Sequence, residues 1–335
     1  MNYKTKNNQI LRTCGIIGGF FFALIIIPVL LTLLTNQGAL AGDNPIISQL
    51  KAPVDDLVVE NKQAEFGRKP IYINLKRVAQ DRIEVLELEQ YLIGVVAAEM
   101  PALFHLEALK AQAVVARTYA MKILSAQDYI TDTTTHQVYW DEETMKARWG
   151  DDFAIHHATI SEAVRATTGL VLKYDGQLIT AMFFSMSGGA TVNSEDMFST
   201  YRPYLRSVES VGYDSHPRFN ESTLFTIAEL QDAFSDTTIT KDNVLILSRC
   251  EGGSVAEITL GQNTYSGRDV RETLGLRSAT FEINSTGHGV TFVTSGWGHG
   301  VGMSQFGADA MGRNGSTFDE ILFHYYQNVI LVEIN

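Results

Sequence analysis

Cysteine is nearly absent: the 335 residues contain two, Cys14 and Cys250. Cys14 opens an apolar run and Cys250 stands alone in the rest of the chain, so no disulfide can staple the part beyond residue 35. That part must hold itself together by burying a core, and it is long enough to do so. Basic charge is scarce too. Lys and Arg number 26 against 38 Asp and Glu, a formal net charge of −12, and the pI is near 5.1. No block of Lys and Arg interleaved with aromatics occurs. The acidic balance disfavours nucleic acid as a partner, and broad contact with anionic lipid heads as well.

Several site signatures are also missing. His156 and His157 are adjacent, so they point apart on a helix or a strand. His136, His299 and His324 have no cysteine near them and no H-E-x-x-H spacing, so no metal site and no cofactor are expected. There is no G-x-S-x-G elbow and no Ser-x-x-Lys beside the serine-rich turn at 184–191. Internal repeats and low-complexity segments are absent.

One long hydrophobic run is present. Residues 14–35 carry no charge, and Lys4, Lys6 and Arg12 precede them. About 20 apolar residues suffice to cross a bilayer, and cations before the run place 1–13 in the cytoplasm. Ala39-Leu40-Ala41 has the form of a signal-peptide cleavage site, but the run exceeds the usual length of such a peptide. The expected organisation is a cytoplasmic N-terminus (1–13), a single-pass transmembrane helix (14–35), a stalk or arm (36–70) and an exported domain (71–335).

In the exported part, alternation predicts strands over 71–75 and 82–86. Residues 131–140 read as a strand or an ordered loop and 160–168 as a helix. Segments 170–174 and 179–184 read as a hairpin turned at Asp175-Gly176. A helix is expected over 227–234, then strands near 244–248, 255–260, 279–284 and 291–295. Two helices, 303–311 and 318–326, close the chain. Helices and strands mix without a βαβ period, which predicts an α+β domain.

The most informative stretch is 88–120, read as two helices joined by a kink. The run Gly94-Val-Val-Ala-Ala-Glu99 is apolar up to its acid, and Pro101 ends the first helix near Met100. Glu99 then sits on the last turn in apolar surroundings, the setting of a carboxyl kept neutral to donate a proton. The second helix is expected over 106–124. Lys110, Val114 and Arg117 share one of its faces. The two cations either grip a substrate or hold Glu99; the simpler reading of spacing alone is a core helix whose cations reach out to water.

Two further segments carry candidates. In Phe184-Ser-Met-Ser-Gly-Gly-Ala-Thr191, Ser187, Gly188 and Gly189 suit a tight turn lining a cleft better than a nucleophile site. In Ser295-Gly-Trp-Gly-His-Gly-Val-Gly-Met-Ser-Gln-Phe-Gly307, alternating glycines allow close backbone approach. Trp297, His299 and Gln305 project from them as a sugar platform and hydrogen-bonding groups, unless the cluster is a packing corner. No register gives G-x-G-x-x-G, which disfavours dinucleotide binding.

Taken together these motifs resemble the stage II sporulation protein D family. The resemblance rests on Tyr91-Leu-x-Gly-Val-Val-Ala-Ala-Glu-Met-Pro101, Glu107-Ala-Leu-Lys-Ala-Gln-Ala113, Ala116-Arg-Thr-Tyr-Ala120, Ser187-Gly-Gly189, Tyr204-Leu205, Gly296-Trp-Gly-His-Gly-Val-Gly-Met-Ser-Gln305 and His324-Tyr-Tyr326, in that order. One departure is Gln327-Asn-Val329, where Pro-Gly is expected. The resemblance implies a peptidoglycan lytic transglycosylase with Glu99 as catalytic acid, and raises Lys110 and Arg117 as cleft residues. It implies cleavage of peptide-free glycan strands between N-acetylmuramic acid and N-acetylglucosamine with a 1,6-anhydro product. It also implies a membrane complex with stage II sporulation proteins P and M, acting at the septum during engulfment. The alternative is a non-catalytic glycan-binding module that stimulates a partner amidase.

Overall fold

The computed structural model describes residues 69–334, apart from 211, 214 and 215. The expected span 14–35 and most of the 36–70 arm lie outside the described residues. Among those described, no helix is long and apolar enough to cross a membrane.

The described chain opens with an antiparallel hairpin, β1 (Tyr72–Arg77) and β2 (Arg82–Glu87). Helix α1 (Leu88–Glu99) follows without a linker, because the Glu87 side chain caps it by accepting the Gln90 N–H at 2.9 Å. It ends where expected: Met100 is extended (φ −131°, ψ 136°), as a residue before proline prefers. Helix α2 (Leu106–Leu124) is next, and β3 (Ile130–Thr131) then pairs parallel to β1. After it come α3 (Glu142–Trp149), α4 (Phe153–Ala166), β4 (Leu170–Tyr174) and β5 (Gln177–Leu178).

Short elements follow: β6 (Phe183–Phe184), β7 (Gly189–Ala190), α5 (Ser194–Phe198) and β8 (Glu209–Ser210), which pairs with β7. A satellite lobe runs through β9 (Asn220–Phe225), α6 (Ile227–Phe234), β10 (Val244–Arg249), β11 (Val255–Leu260), β12 (Asn263–Ser266), α7 (Gly267–Leu274), β13 (Phe281–Thr286) and β14 (Gly289–Ser295). Its sheets, in the orders β10-β11-β12 and β13-β14-β9, enclose a core of their own around Leu230, Ile258, Val270, Phe281 and Phe292. The chain then returns to the main body through β15 (Met303–Ser304), parallel to β6, then α8 (Gln305–Arg313), α9 (Phe318–Tyr325) and β16 (Ile330–Glu333), antiparallel to β4. This is an α+β architecture.

Helix α2 is the pillar of the main body, in contact with α1, α4, α8, α9 and β4. Residues 113–118 are all buried. Arg117 lies among them, fully buried, and donates Nε to Glu89 Oε1 at 2.9 Å and Nη2 to Glu89 Oε2 at 2.5 Å. Its remaining donors reach the carbonyls of Leu170 at 3.1 Å and Val164 at 3.4 Å. One guanidinium thus joins α1, α2, α4 and β4. This corrects the expectation of a cleft residue: the face shared with Lys110 turns into the core one turn before Arg117.

Other differences have local causes. The Asp175-Gly176 turn forms, with positive φ at both residues (48° and 74°), but pairing with β4 stops early: Gln177–Leu178 pair with it, and the Ile179 N–H makes one last bond to the Leu172 carbonyl at 3.2 Å. The chain bends near Thr180, whose N–H donates to Tyr204 Oη at 3.0 Å, and Phe183–Phe184 leave to join β15. Helix α3 was not expected from its acidic start. Asp141 is its N-cap, accepting the Thr144 N–H at 2.8 Å, and Glu142 and Glu143 fill the first turn, where the helix dipole favours anions. Gly94 is required by packing: a Cβ there would lie 2.3 Å from the Tyr139 ring and 2.5 Å from the Trp140 carbonyl.

Replacing Arg117 by Met should leave Glu89 without its buried partner and cost about 3–5 kcal/mol in urea unfolding. A variant of unchanged stability would sink the bracing role.

Candidate functional site

The carboxylate of Glu99 sits half-buried at the last position of α1. Its Oε1 accepts the Val138 N–H at 3.0 Å. Burial pushes its pKa from 4.5 up to about 7, and the Val138 bond pulls the other way without cancelling the rise. Two phenols are near enough to feel its charge: Tyr91 on the same helix and Tyr119 on α2, both raised by burial first and by Glu99 second. Tyr91 Oη donates to Gln137 at 3.0 Å, Gln137 in turn donates to the Ala116 carbonyl at 3.3 Å, and Tyr91 stacks on Tyr139 at 5.7 Å. The 132–141 loop therefore forms one wall of the site.

A second support arrives from 206 positions away. Gln305, first residue of α8, donates Nε2 to the main-chain carbonyl of Glu99 at 2.8 Å. That carbonyl is one of the acceptors a helix C-terminus leaves without an internal partner. Gln112 lies on the other side of the same amide, with Oε1 3.5 Å from Gln305 Nε2. So Gln305 does meet Glu99, but it holds the backbone instead of reaching outward.

The remaining sequence candidates divide. Lys110 pairs with Glu107 at 2.6 Å, and Glu107 also accepts the Phe318 N–H at 2.8 Å, fastening α2 to the start of α9. Ser187 is buried; its Oγ accepts the Gly189 N–H at 3.1 Å, and its own N–H donates to Ser304 Oγ at 3.2 Å, one residue from Gln305. A hydroxyl closed into its own turn has no base to activate it, so the nucleophile reading finds no support. Gly188 packs where a Cβ would lie 2.9 Å from Thr280 and 3.0 Å from the Ser295 carbonyl, and Gly189 has φ 124°.

Trp297 is bridged to Met186 by paired backbone hydrogen bonds of 2.7 and 2.9 Å, and the Arg277 guanidinium lies 4.6 Å from its ring centroid. Within its own turn, His299 Nδ1 accepts the Val301 N–H at 3.1 Å. Its ring is wedged between Phe184 and Phe198, and burial lowers its pKa to about 4. It is a neutral packing residue near pH 7. The glycines of this segment are needed for approach: at Gly302 (φ 80°) a Cβ would lie 2.0 Å from the Met182 carbonyl.

A continuous path thus runs from Trp297 through Met186, Ser187 and Ser304 to Gln305 and Glu99. Beside it lies a shallow hollow lined by Ser187, Tyr213, Phe219, Ser304 and Phe306. Lys110, Arg117 and His299 make their contacts off this path, with Glu107, with Glu89 and with Phe184 and Phe198. Sequence reasoning missed Val138, Tyr119 and Gln112. Tyr119 and Gln112 lie inside the quoted motifs, whereas Val138 contributes a backbone N–H that no side-chain pattern reveals. No group of three or more His, Cys, Asp or Glu among the described residues is placed to hold a metal ion.

Comparison with known proteins places this geometry in a family. Residues 76–174 match the SpoIID domain described as "Stage II sporulation protein"; they include Glu99, Lys110, Arg117 and the 132–141 loop. The chain is 35% identical to stage II sporulation protein D of Bacillus amyloliquefaciens over 331 residues, 95% of each chain. It is 36% identical to the protein of that name from Bacillus subtilis (strain 168), over 92% of each. It is 30% identical to the amidase enhancer of Bacillus subtilis (strain 168), over 71% of this chain and 40% of that one. The chain belongs to the stage II sporulation protein D family.

Proposed function

We propose that the chain is a lytic transglycosylase of peptidoglycan, cutting peptide-free glycan strands during sporulation. The observation that carries this reading is Glu99, a half-buried carboxyl whose pKa of about 7 keeps much of it protonated near neutrality. Glu99 gives its proton to the oxygen linking C1 of N-acetylmuramic acid to N-acetylglucosamine, and the C1–O bond breaks. The resulting carboxylate takes the proton of the muramic 6-hydroxyl, whose oxygen closes on C1. The carboxyl ends as it began, no water is consumed, and one product carries a 1,6-anhydro ring. A single carboxyl suffices here, whereas hydrolytic glycosidases generally use two.

The uncharged run 14–35 with cations ahead of it supports a membrane-anchored enzyme whose domain lies outside the cytoplasm. Action at the septal membrane, in a complex with stage II sporulation proteins P and M, belongs to the same proposal. A non-catalytic glycan-binding module is the second reading, favoured by the similarity to an amidase enhancer.

The full-length chain in detergent, incubated with peptide-free glycan strands, should release fragments ending in anhydro-muramic acid, read by mass spectrometry. Glu99→Gln should lower the rate at least about 100-fold with the fold intact. Reducing-end products would instead mean that water attacks, and no cleavage at all would favour the binding module.

The raised pKa also has a stability consequence. Between 4.5 and about 7 the unfolded chain releases the Glu99 proton while the folded chain keeps it, so folding stability falls as pH rises through that window. Glu99→Gln removes this loss and should gain about 3 kcal/mol on the parent between about pH 4 and about pH 8. Parallel pH dependences in urea unfolding would show an ordinary carboxyl.

A further inference from the structure

Among the described residues the 132–141 loop supplies the donor that holds the Glu99 carboxylate, yet after the Asp132 N–H, which donates to the Lys76 carbonyl of β1 at 3.2 Å, the loop forms no strand. Its two ends are gripped by a single side chain. Arg77, the last residue of β1, is only 8% exposed. Nε donates to Asp132 Oδ2 at 3.0 Å, at the start of the loop, and Nη2 to Asp141 Oδ2 at 2.9 Å, at its end. Nη1 reaches Glu84 on β2 at 3.3 Å, which ties the fork to the hairpin. The guanidinium carbon also lies 5.3 Å from the ring centroid of Tyr139, next to Val138.

Both loop carboxylates divide their oxygens in the same way. Asp132 Oδ1 accepts the Val78 N–H at 3.0 Å, and Asp141 Oδ1 accepts the N–H and hydroxyl of Thr144 at 2.8 and 2.6 Å. Each thus uses one oxygen on Arg77 and the other to begin or end a neighbouring element. The planar fork spreads its donors over three nitrogens, one for each carboxylate, whereas an ammonium would have to reach all three from a single nitrogen.

What shifts Glu99 is burial and the Val138 bond. The groups that face it are Tyr91 on α1, Tyr119 on α2 and the Val138 N–H of the loop, with Gln305 of α8 on its carbonyl. We infer that Arg77 is a positioning residue for Glu99: it clamps both ends of the 132–141 loop so that the Val138 N–H stays aimed at the carboxylate. Its kinetic side rests on Glu99 being the catalytic acid; its structural side does not.

The test uses the full-length chain labelled with carboxyl-¹³C glutamate, with Glu99→Gln assigning the resonance. In Arg77→Gln the Glu99 titration should move up by about one pH unit, as expected when a carboxylate loses one hydrogen bond. In glycan cleavage, kcat should fall about tenfold with KM within about twofold, and the high-pH limb should shift upward with the titration. Arg77→Lys, which keeps the charge without the fork, should show a smaller shift of the same sign, and it carries the test if Arg77→Gln does not fold. A folded variant with an unmoved Glu99 titration would overturn the proposal, whether or not the chain cleaves glycan.

Discussion

The hydrogen bond from Val138 to Glu99 sets what the site can do. A carboxylate with two or three backbone donors would titrate well below the ordinary range and could not act as an acid near pH 7. One with none would be free to rotate, so its proton would have no fixed direction. A single donor on a carboxyl withdrawn from water keeps the pKa near 7 and fixes one oxygen. Everything else at the site answers to that balance. Pro101 ends α1 immediately after the acid, Gly94 lets the loop press against the helix, and Gln305 takes the carbonyl the broken helix exposes.

The distal third of the chain is therefore part of the site even where it does not touch the carboxyl. The glycine-rich segment carries the chain from the satellite lobe back to α8 along a route too tight for side chains, and that route delivers Gln305. Asp309, one helical turn further and fully buried, fixes the other side of the kink. It accepts the His105 N–H at 2.5 Å and the Arg313 Nε at 2.8 Å, and it bonds the Tyr213 hydroxyl. The link between α1 and α2 is thus held at both ends by α8, through Gln305 before it and Asp309 after it.

Much of this was legible in the sequence, and the gaps follow a rule. Helix α2 spans Leu106–Leu124 as its composition predicts, and the end of α1 follows from Pro101, because both are local effects. Glu99 stood out because an acid ending an apolar run must be buried or neutral. Arg117 misled because helical spacing reports which residues share a face, not what covers that face; here α1, α4 and β4 cover it. Spacing was equally silent on the neighbours of Trp297 and His299: Arg277 lies over the Trp ring, and Phe184 and Phe198 pack on the imidazole. Arg77 gave no signal at all, since its partners lie 7, 55 and 64 positions away.

The allocation of the other acids bears on the chemistry. Asp132 and Asp141 at the two ends of the loop and Glu84 on β2 all bond Arg77, and hydrogen bonds from Thr144 and Arg77 hold Asp141 at about 2. A group so acidic and so engaged is a poor base for activating water. Among the described carboxyl groups whose pKa departs from the ordinary value, only Glu99 is raised. Asp132, Asp141 and Glu84 are used to build the wall that carries the Val138 donor. One raised carboxyl among the described residues is what the proposed attack by a hydroxyl of the substrate itself requires.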